Sequence, residues 1–372
     1  MSKPNGLYVH IPFCNGKCPY CDFYSTTGYS SDDLDGYTAA LSTHIKAWGS
    51  RLNEVADTLY LGGGTPSLLG AKRIAALINI TRSAFSMPDA AEITLEANPA
   101  EDLSAVFAAF AGAGGNRISI GMQAADNSLL HLLGRRHTAE QTERTVLAAH
   151  AAGIRNVSLD LMLGVAEQTE SHVRHAVACC SQWGATHVSA YLLKIESGTP
   201  YASSLPGTLP NEDETVALYY TAAEELEKHG FLQYEISNFS KAGFESRHNL
   251  KYWECEPYLG IGPAAHSFLN GKRFYYPRSL SSFLKGEAPL PENPDNTDIA
   301  ENSPEEFAML RLRLTKGLTD HDFRLRFGNP LPRLWRERAA AMPRSLVVAD
   351  DNGIRLTRAG FLVSDAILAR LL

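Results

Sequence analysis

At 372 residues, 44% of them hydrophobic and 20% charged, the chain is too long for one small core and too ordinary in composition to be fibrous or disordered. A formal net charge of −7 excludes a protein that as a whole coats nucleic acid or an anionic membrane surface. One large α/β domain with a smaller companion suits this length.

The first residues, Met-Ser-Lys-Pro-Asn-Gly, run directly into an apolar strand over 7–11 and do not resemble a signal peptide. Further strands are expected over 57–62, 92–96, 117–121, 156–161 and 187–192, with a shorter one over 233–236. Amphipathic helical patterns lie between them at 34–48, 71–85, 139–152, 171–183 and 212–229. Repeated β-then-α order with near-continuous apolar strands predicts a parallel sheet covered by helices. Six such units make a full or partial (β/α) barrel of the TIM type; a doubly wound open sheet has the same periodicity. The longest uncharged runs, such as 103–116, are too short to span a bilayer, so the expectation is a cytoplasmic chain with no transmembrane segment.

The character changes after about residue 270. The stretch 285–304 carries Pro289, Pro291, Pro294 and Pro304 among several asparagines and reads as linker-like. Beyond it, helices are expected over 304–315 and 320–327, then a hairpin around Asp351-Asn352-Gly353 and a last helix. The expected organisation is therefore a barrel domain over 1–270, a linker-like segment over 271–303 and a small α+β domain over 304–372. Residues 311–345 hold nine Arg or Lys against three Asp or Glu. The ordinary reading of such a segment is a solvated helical face; a docking patch for an anionic ligand or partner is the other.

Six cysteines in a reducing compartment suit metal ligation or small buried side chains rather than disulfides. Three of them, Cys14, Cys18 and Cys21, stand within eight residues directly after the first strand. Thiolates are the usual ligands of iron–sulfur clusters, and one loop can wrap three corners of a cubane while leaving the fourth iron for a small chelating molecule. A structural zinc site is the alternative, but it needs a fourth ligand, and His10 is the candidate since no second CxxC pair exists. Cys179, Cys180 and Cys255 read as packing residues.

The CxxxCxxC loop, entered through Tyr8-Val-His-Ile-Pro-Phe-Cys14, resembles that of the radical S-adenosylmethionine (SAM) superfamily. The resemblance implies a [4Fe–4S] cluster whose fourth iron binds the amino and carboxylate groups of SAM. One electron then cleaves the sulfonium to a 5′-deoxyadenosyl radical, and an electron donor for the cluster is implied as well. The glycine-rich turn Gly62-Gly63-Gly64-Thr65 follows the second strand, where a backbone without side chains can approach a ligand closely. Polar residues at the ends of later strands add Glu96, Gln123 and Asp160, and Arg135 lies on the helix side. Any one of these, taken alone, reads as a cap or a local loop bond.

Closer similarity is to one subfamily, that of oxygen-independent coproporphyrinogen III dehydrogenase and its relatives, over about 8–267 and again at the C-terminal end. Position by position it implies that Tyr8, Gly63, Gly64, Thr65, Glu96, Gln123, Arg135 and Asp160 bind SAM. Within the subfamily, two functions remain: radical decarboxylation of coproporphyrinogen III, or haem transfer to an acceptor protein (respiratory ones included) by chaperones of the HemW type. Phe23 stands where the dehydrogenases carry a further cysteine, and only thirteen residues precede Cys14 where they have a long extension. His248-Asn249-Leu-Lys-Tyr252-Trp253 is similar to the HNxxYW motif of the chaperones. The resemblance thus implies haem contacts from His248, Asn249, Tyr252 and Trp253, with His248 as an axial ligand. The plainer reading is an aromatic pair beside a hydrogen-bonded histidine. Relatives often carry cysteine at the position of Ser246.

Overall fold

The computed structural model describes residues 4–99, 101–204, 207–291 and 300–372. Six strands, β1 (Asn5–Ile11), β2 (Ala56–Gly63), β3 (Glu92–Ala97), β4 (Arg117–Gln123), β5 (Asn156–Leu163) and β6 (His187–Leu192), pair in parallel in chain order. At one edge β7 (Leu232–Gln233) and β8 (Asn238–Ser240) add antiparallel strands. At the other, β9 (Tyr258–Ile261) runs parallel to β1, followed by antiparallel β10 (His266–Leu269), β11 (Lys272–Tyr275) and β12 (Leu290–Pro291). The twelve strands form one sheet with β12 and β7 at its ends, so the barrel is partial and open.

Helices Ser31–Leu52, Gly70–Ala84, Ser104–Gly112, Ala139–Ala151, Glu170–Gln182 and Glu212–Lys228 cover the outer face. Their starts are encoded locally. The Ser30 hydroxyl accepts the Asp33 N–H at 3.2 Å, and the Asp33 carboxylate accepts the Ser30 N–H at 2.8 Å, a reciprocal cap.

The parallel strands are not continuously apolar. Leu7, Val9, Ile11, Leu59, Leu61, Ile93, Leu95, Ile118, Ile120, Val157, Leu159 and Val188 are buried outward against the helices. Burying each such side chain contributes about 2 kcal/mol. The alternating positions, including Tyr8, Thr58, Tyr60, Glu96, Arg117, Ser119, Asp160 and Ser189, face inward, because successive strand side chains point to opposite faces. The inner face is polar because it surrounds a cavity rather than a packed core.

The linker-like expectation over 271–303 differs from the observed arrangement. Residues 271–291 continue the main sheet, and 292–299 lie outside the described residues. The overlooked signal is Asn270-Gly271, whose φ values of 53° and 74° make the tight turn joining β10 to β11. The strand β9 was also unexpected, being four residues long with Gly260 inside it.

Helices Pro304–Arg311, Asp320–Phe327, Arg333–Ala340 and Ser364–Leu371 surround a small sheet of β13 (Leu318–Thr319), β14 (Val347–Asp350) and β15 (Gly353–Leu356). The hairpin falls where Asp351-Asn352-Gly353 predicts it. Phe307, Phe323, Trp335 and Ile354 form an apolar cluster that also takes in Tyr258 and Phe268 of the main sheet. The basic segment is largely engaged within the fold: Arg311 pairs with Glu254 and Asp322, Arg326 donates to the Cys255 carbonyl, Arg336 pairs with Asp320, and Arg338 donates to the Leu372 carbonyl. Among the described residues no helix is long and apolar enough to cross a membrane.

Candidate functional site

The loop after β1 carries Cys14, Cys18 and Cys21 as free, partly exposed thiols on the wall of one cavity of about 580 Å³. Backbone bonds shape the loop: Cys14 N–H to Thr26 O at 3.0 Å and Cys21 N–H to Cys18 O at 3.1 Å. Arg136 fastens it from outside through the Asn15 carbonyl at 2.9 Å.

The fourth ligand that a zinc site would take from this region is not free. His10, the candidate fourth ligand, is buried with both ring nitrogens engaged, Nδ1 with the Tyr8 hydroxyl at 2.9 Å and Nε2 with the Tyr24 carbonyl at 2.8 Å. Burial also holds its pKa down to about 4. Among the described residues no three His, Cys, Asp or Glu side chains converge enough to share one metal ion. Thiols spread along one loop suit a polynuclear cluster instead, in which each sulfur takes its own iron.

The glycine-rich turn lies against this loop. Gly64 N–H donates to Ile11 O at 2.8 Å and Thr65 N–H to Phe13 O at 2.7 Å, while Gly63 N–H donates to a Glu96 oxygen at 3.0 Å. A side chain at Gly63, where φ is 113°, would put its Cβ 2.6 Å from the His10 ring, and one at Gly64 would put it 2.6 Å from the Phe13 carbonyl. The three amides are therefore engaged within the protein.

Glu96, next to last in β3, has its second oxygen accepting from the Tyr60 hydroxyl at 2.8 Å. Despite two hydrogen bonds its pKa is raised to about 7, because desolvation by the surrounding protein outweighs them and the Asp160 charge adds to it. Asp160 accepts from Ser119 Oγ at 3.2 Å and is likewise held above the ordinary carboxylate range by burial. Gln123 ends β4 at a register shift with φ of 63°, a bulge that turns its side chain to the cavity. Arg135, in the loop after the Asn127–Leu132 helix, is aimed back at the cysteine loop: Nη1 lies 3.5 Å from Cys18 Sγ, and Nη2 donates to Asn98 Oδ1 at 2.7 Å and Gly121 O at 2.8 Å.

Thus Gly63, Gly64, Thr65, Glu96, Gln123, Arg135 and Asp160 meet the three cysteines around one cavity. Tyr8 sits behind the wall on His10. Two neighbours were missed by sequence reasoning. Asn98 donates to Thr65 Oγ1 at 2.8 Å while accepting from Arg135, and Tyr60 holds Glu96. The period of two was the available signal, since Asn98 follows Glu96 on the same face.

The HNxxYW segment forms the Arg247–Trp253 helix at the opposite, N-terminal end of the strands. Ser246 caps it, and both oxygens of Glu92 at the start of β3 accept its first amides, from Arg247 at 3.0 Å and His248 at 2.9 Å. Only Asn249 of the segment reaches the cavity. His248 does not present a free nitrogen there. It is fully buried, Nδ1 lies 2.8 Å from Thr58 Oγ1, Nε2 lies 2.8 Å from the Tyr252 hydroxyl, and the ring stacks on Tyr60. Burial, helped by the Lys251 and Arg117 charges, lowers its pKa to about 3. Iron ligation by His248 therefore requires that one of these two bonds be given up. Trp253 lies against Arg313 at 5.7 Å.

Residues 8–180 match the Radical SAM superfamily and residues 300–363 the HemN C-terminal domain. Over its full length the chain is 34% identical to a protein of Mycobacterium tuberculosis named heme chaperone HemW, covering 95% of it. A Bacillus subtilis protein of the same name is 32% identical over 98% of both chains. The bovine radical S-adenosyl methionine domain-containing protein 1, mitochondrial, is 33% identical over all of this chain and 88% of its own. Among solved structures, Escherichia coli coproporphyrinogen III oxidase (HemN) superposes with a TM-score of 0.82 at 20% identity, over all of this chain and 90% of that one, a likeness of fold.

Proposed function

We propose, for a chain that belongs to the HemW family within the radical SAM superfamily, that it is a haem chaperone: it holds a [4Fe–4S] cluster and SAM, binds haem and passes it to an acceptor protein. The observation that carries the site assignment is the convergence of the cysteine loop, the glycine-rich turn and the inward side chains of Glu96, Gln123 and Asp160 on one cavity. Cys14, Cys18 and Cys21 are assigned as the cluster ligands. When bound, the cluster supplies single electrons beside the sulfonium of SAM.

The remaining assignments follow from what each side chain can do. Carbonyl oxygens of the Gly63–Gly64 turn suit an ammonium group, since the amides there are engaged. Arg135 supplies a cation next to Cys18 for a carboxylate bound at the cluster. Glu96, Gln123 and Asp160 offer hydrogen-bond partners for the hydroxyl-bearing part of the cofactor, and Tyr8 holds His10 and the turn behind it. For haem, the Arg247–Trp253 helix is the proposed contact. Asn249 meets the cavity directly, His248 serves as iron ligand by exchanging its Tyr252 bond, and Tyr252 and Trp253 supply aromatic surface. Phe23, largely exposed in the cluster loop, disfavours the dehydrogenase reading, whose further cysteine would stand there. A reducing interior such as the cytoplasm suits six free cysteines.

The test is anaerobic reconstitution of the full chain, followed by parallel incubation with haem and with coproporphyrinogen III in the presence of SAM and a reductant. Expected are stoichiometric haem uptake, transfer to an apo-acceptor, and no porphyrinogen turnover. Iron and sulfide content should vanish on replacing the three cysteines with Ala. Conversion of the porphyrinogen would make the protein a dehydrogenase.

A further inference from the structure

Arg117 opens β4 at the deep end of the cavity, 1% exposed, and its Nε and Nη1 atoms have no hydrogen-bond partner among the described residues. Nearby acids do not account for it. Glu96 binds Tyr60 and Gly63, and Asp160 binds Ser119, so both act on Arg117 only through space. The histidines around it, His187 and His248, are held neutral by burial and by the Arg117 charge itself, and an imidazole supplies no negative charge in either state. A second orphan lies alongside: Thr94, its register partner on β3, has a buried hydroxyl without a partner. Asn249 brings an amide to the same cavity from the helix below. A buried guanidinium without an anion is costly, and a carboxylate that accepts its fork of N–H groups removes the cost.

We propose that Arg117, with Asn249, is the floor of a carboxylate subsite that receives a propionate of the tetrapyrrole. This rests on the proposed haem contact of the Arg247–Trp253 helix, whose Asn249 lines the cavity. The methionyl carboxylate of SAM is the wrong occupant on geometric grounds. Arg117 stands four residues before Gly121, whose carbonyl holds Arg135 at the cluster loop, so it lies about 13 Å down the strand. A carboxylate chelated at the cluster cannot reach it. Porphyrin propionates extend from one edge of an apolar disc, which matches a single cation at the bottom of the cavity.

The experiment compares binding of haem, iron-free protoporphyrin IX and their dimethyl esters to the full-length protein by absorbance and fluorescence titration. The wild type should bind each free acid at least about tenfold more tightly than its ester, the span of a charged hydrogen bond. Arg117→Met should erase that difference while leaving ester binding unchanged, and Arg117→Lys should keep part of it. If Arg117→Met fails to fold, Asn249→Asp carries the test by adding a repelling charge that should weaken the acids more than the esters. Equal affinity for acid and ester in the wild type, or an undiminished gap in a folded Arg117→Met, overturns the subsite. An acid-over-ester gap with haem bound no better than iron-free porphyrin keeps the subsite and removes iron ligation. Absence of uptake of any of the four overturns both the subsite and the haem reading.

Discussion

The Arg135 guanidinium places Nη1 3.5 Å from the sulfur of Cys18, joining the loop after β4 to the cysteine loop after β1. With Nη2 fixed on Asn98 and the Gly121 carbonyl, the arginine has little freedom to move away. A cation donating to a ligand sulfur stabilises the reduced, more negative cluster, so it raises the reduction potential. Arg135→Met should therefore lower the midpoint on the order of tens of millivolts in an anaerobic titration followed by electron paramagnetic resonance. A midpoint that stays in place would mean that Arg135 does not face the cluster.

Glu96 titrates near pH 7 in the folded protein against an ordinary value of 4.5. The folded state thus holds a proton that the unfolded state has released, and stability falls as pH rises from about 4.5 to about 7, then levels. Glu96→Gln cannot ionise and should flatten that decline in melting temperature measured across the same interval. A wild-type profile that is already flat there would contradict the assignment.

His248 has the opposite slope. Its folded pKa of about 3 lies below the ordinary 6.5, so the unfolded chain takes up the proton first and stability is lost as pH falls below 6.5. His248→Gln should lessen the loss on acidification, at the cost of lower stability at neutral pH where two buried hydrogen bonds are removed.

Tyr252→Phe isolates the ligand question. It removes the hydroxyl on His248 Nε2 and leaves the ring packing in place. Haem affinity should rise, since the nitrogen no longer exchanges one partner for another, while unfolding free energy drops by about 1 kcal/mol. Unchanged affinity together with unchanged haem binding by His248→Ala would remove His248 from the ligand set.

Arg311, almost fully buried, pairs with Glu254 beyond the Arg247–Trp253 helix and with Asp322 of the Asp320–Phe327 helix. Removing one partner of a buried ion pair leaves charge without compensation. Arg311→Met should destabilise the protein by roughly 3 kcal/mol in denaturant titration followed by tryptophan fluorescence, with Trp335 nearby as reporter. A loss of only a few tenths would place the pair with ordinary surface ion pairs.

The strands from 7–11 to 187–192 were legible because each is a short run dense in Leu, Ile and Val between helical patterns, and propensity and period act over a few residues. The cysteine loop was legible for the same reason, as three thiols in eight residues need no distant partner. The inner-face polar residues were only partly legible. Glu96 and Asp160 stood out as acids, whereas Asn98 and Arg117 are ordinary polar residues until the sheet curls and turns them to one cavity.

By itself the sequence determined the order of elements as far as β6, the cysteine loop and the family to which the chain belongs, since these are written in local spacing. Only the tertiary structure decided which amides of the glycine-rich turn are already engaged, that His248 is bonded on both nitrogens, and that Arg117 is buried with Nε and Nη1 unpartnered. Those facts depend on residues as far apart as Thr58 and His248 meeting across the sheet, and hydrogen-bond satisfaction is a property of that meeting, not of either residue alone.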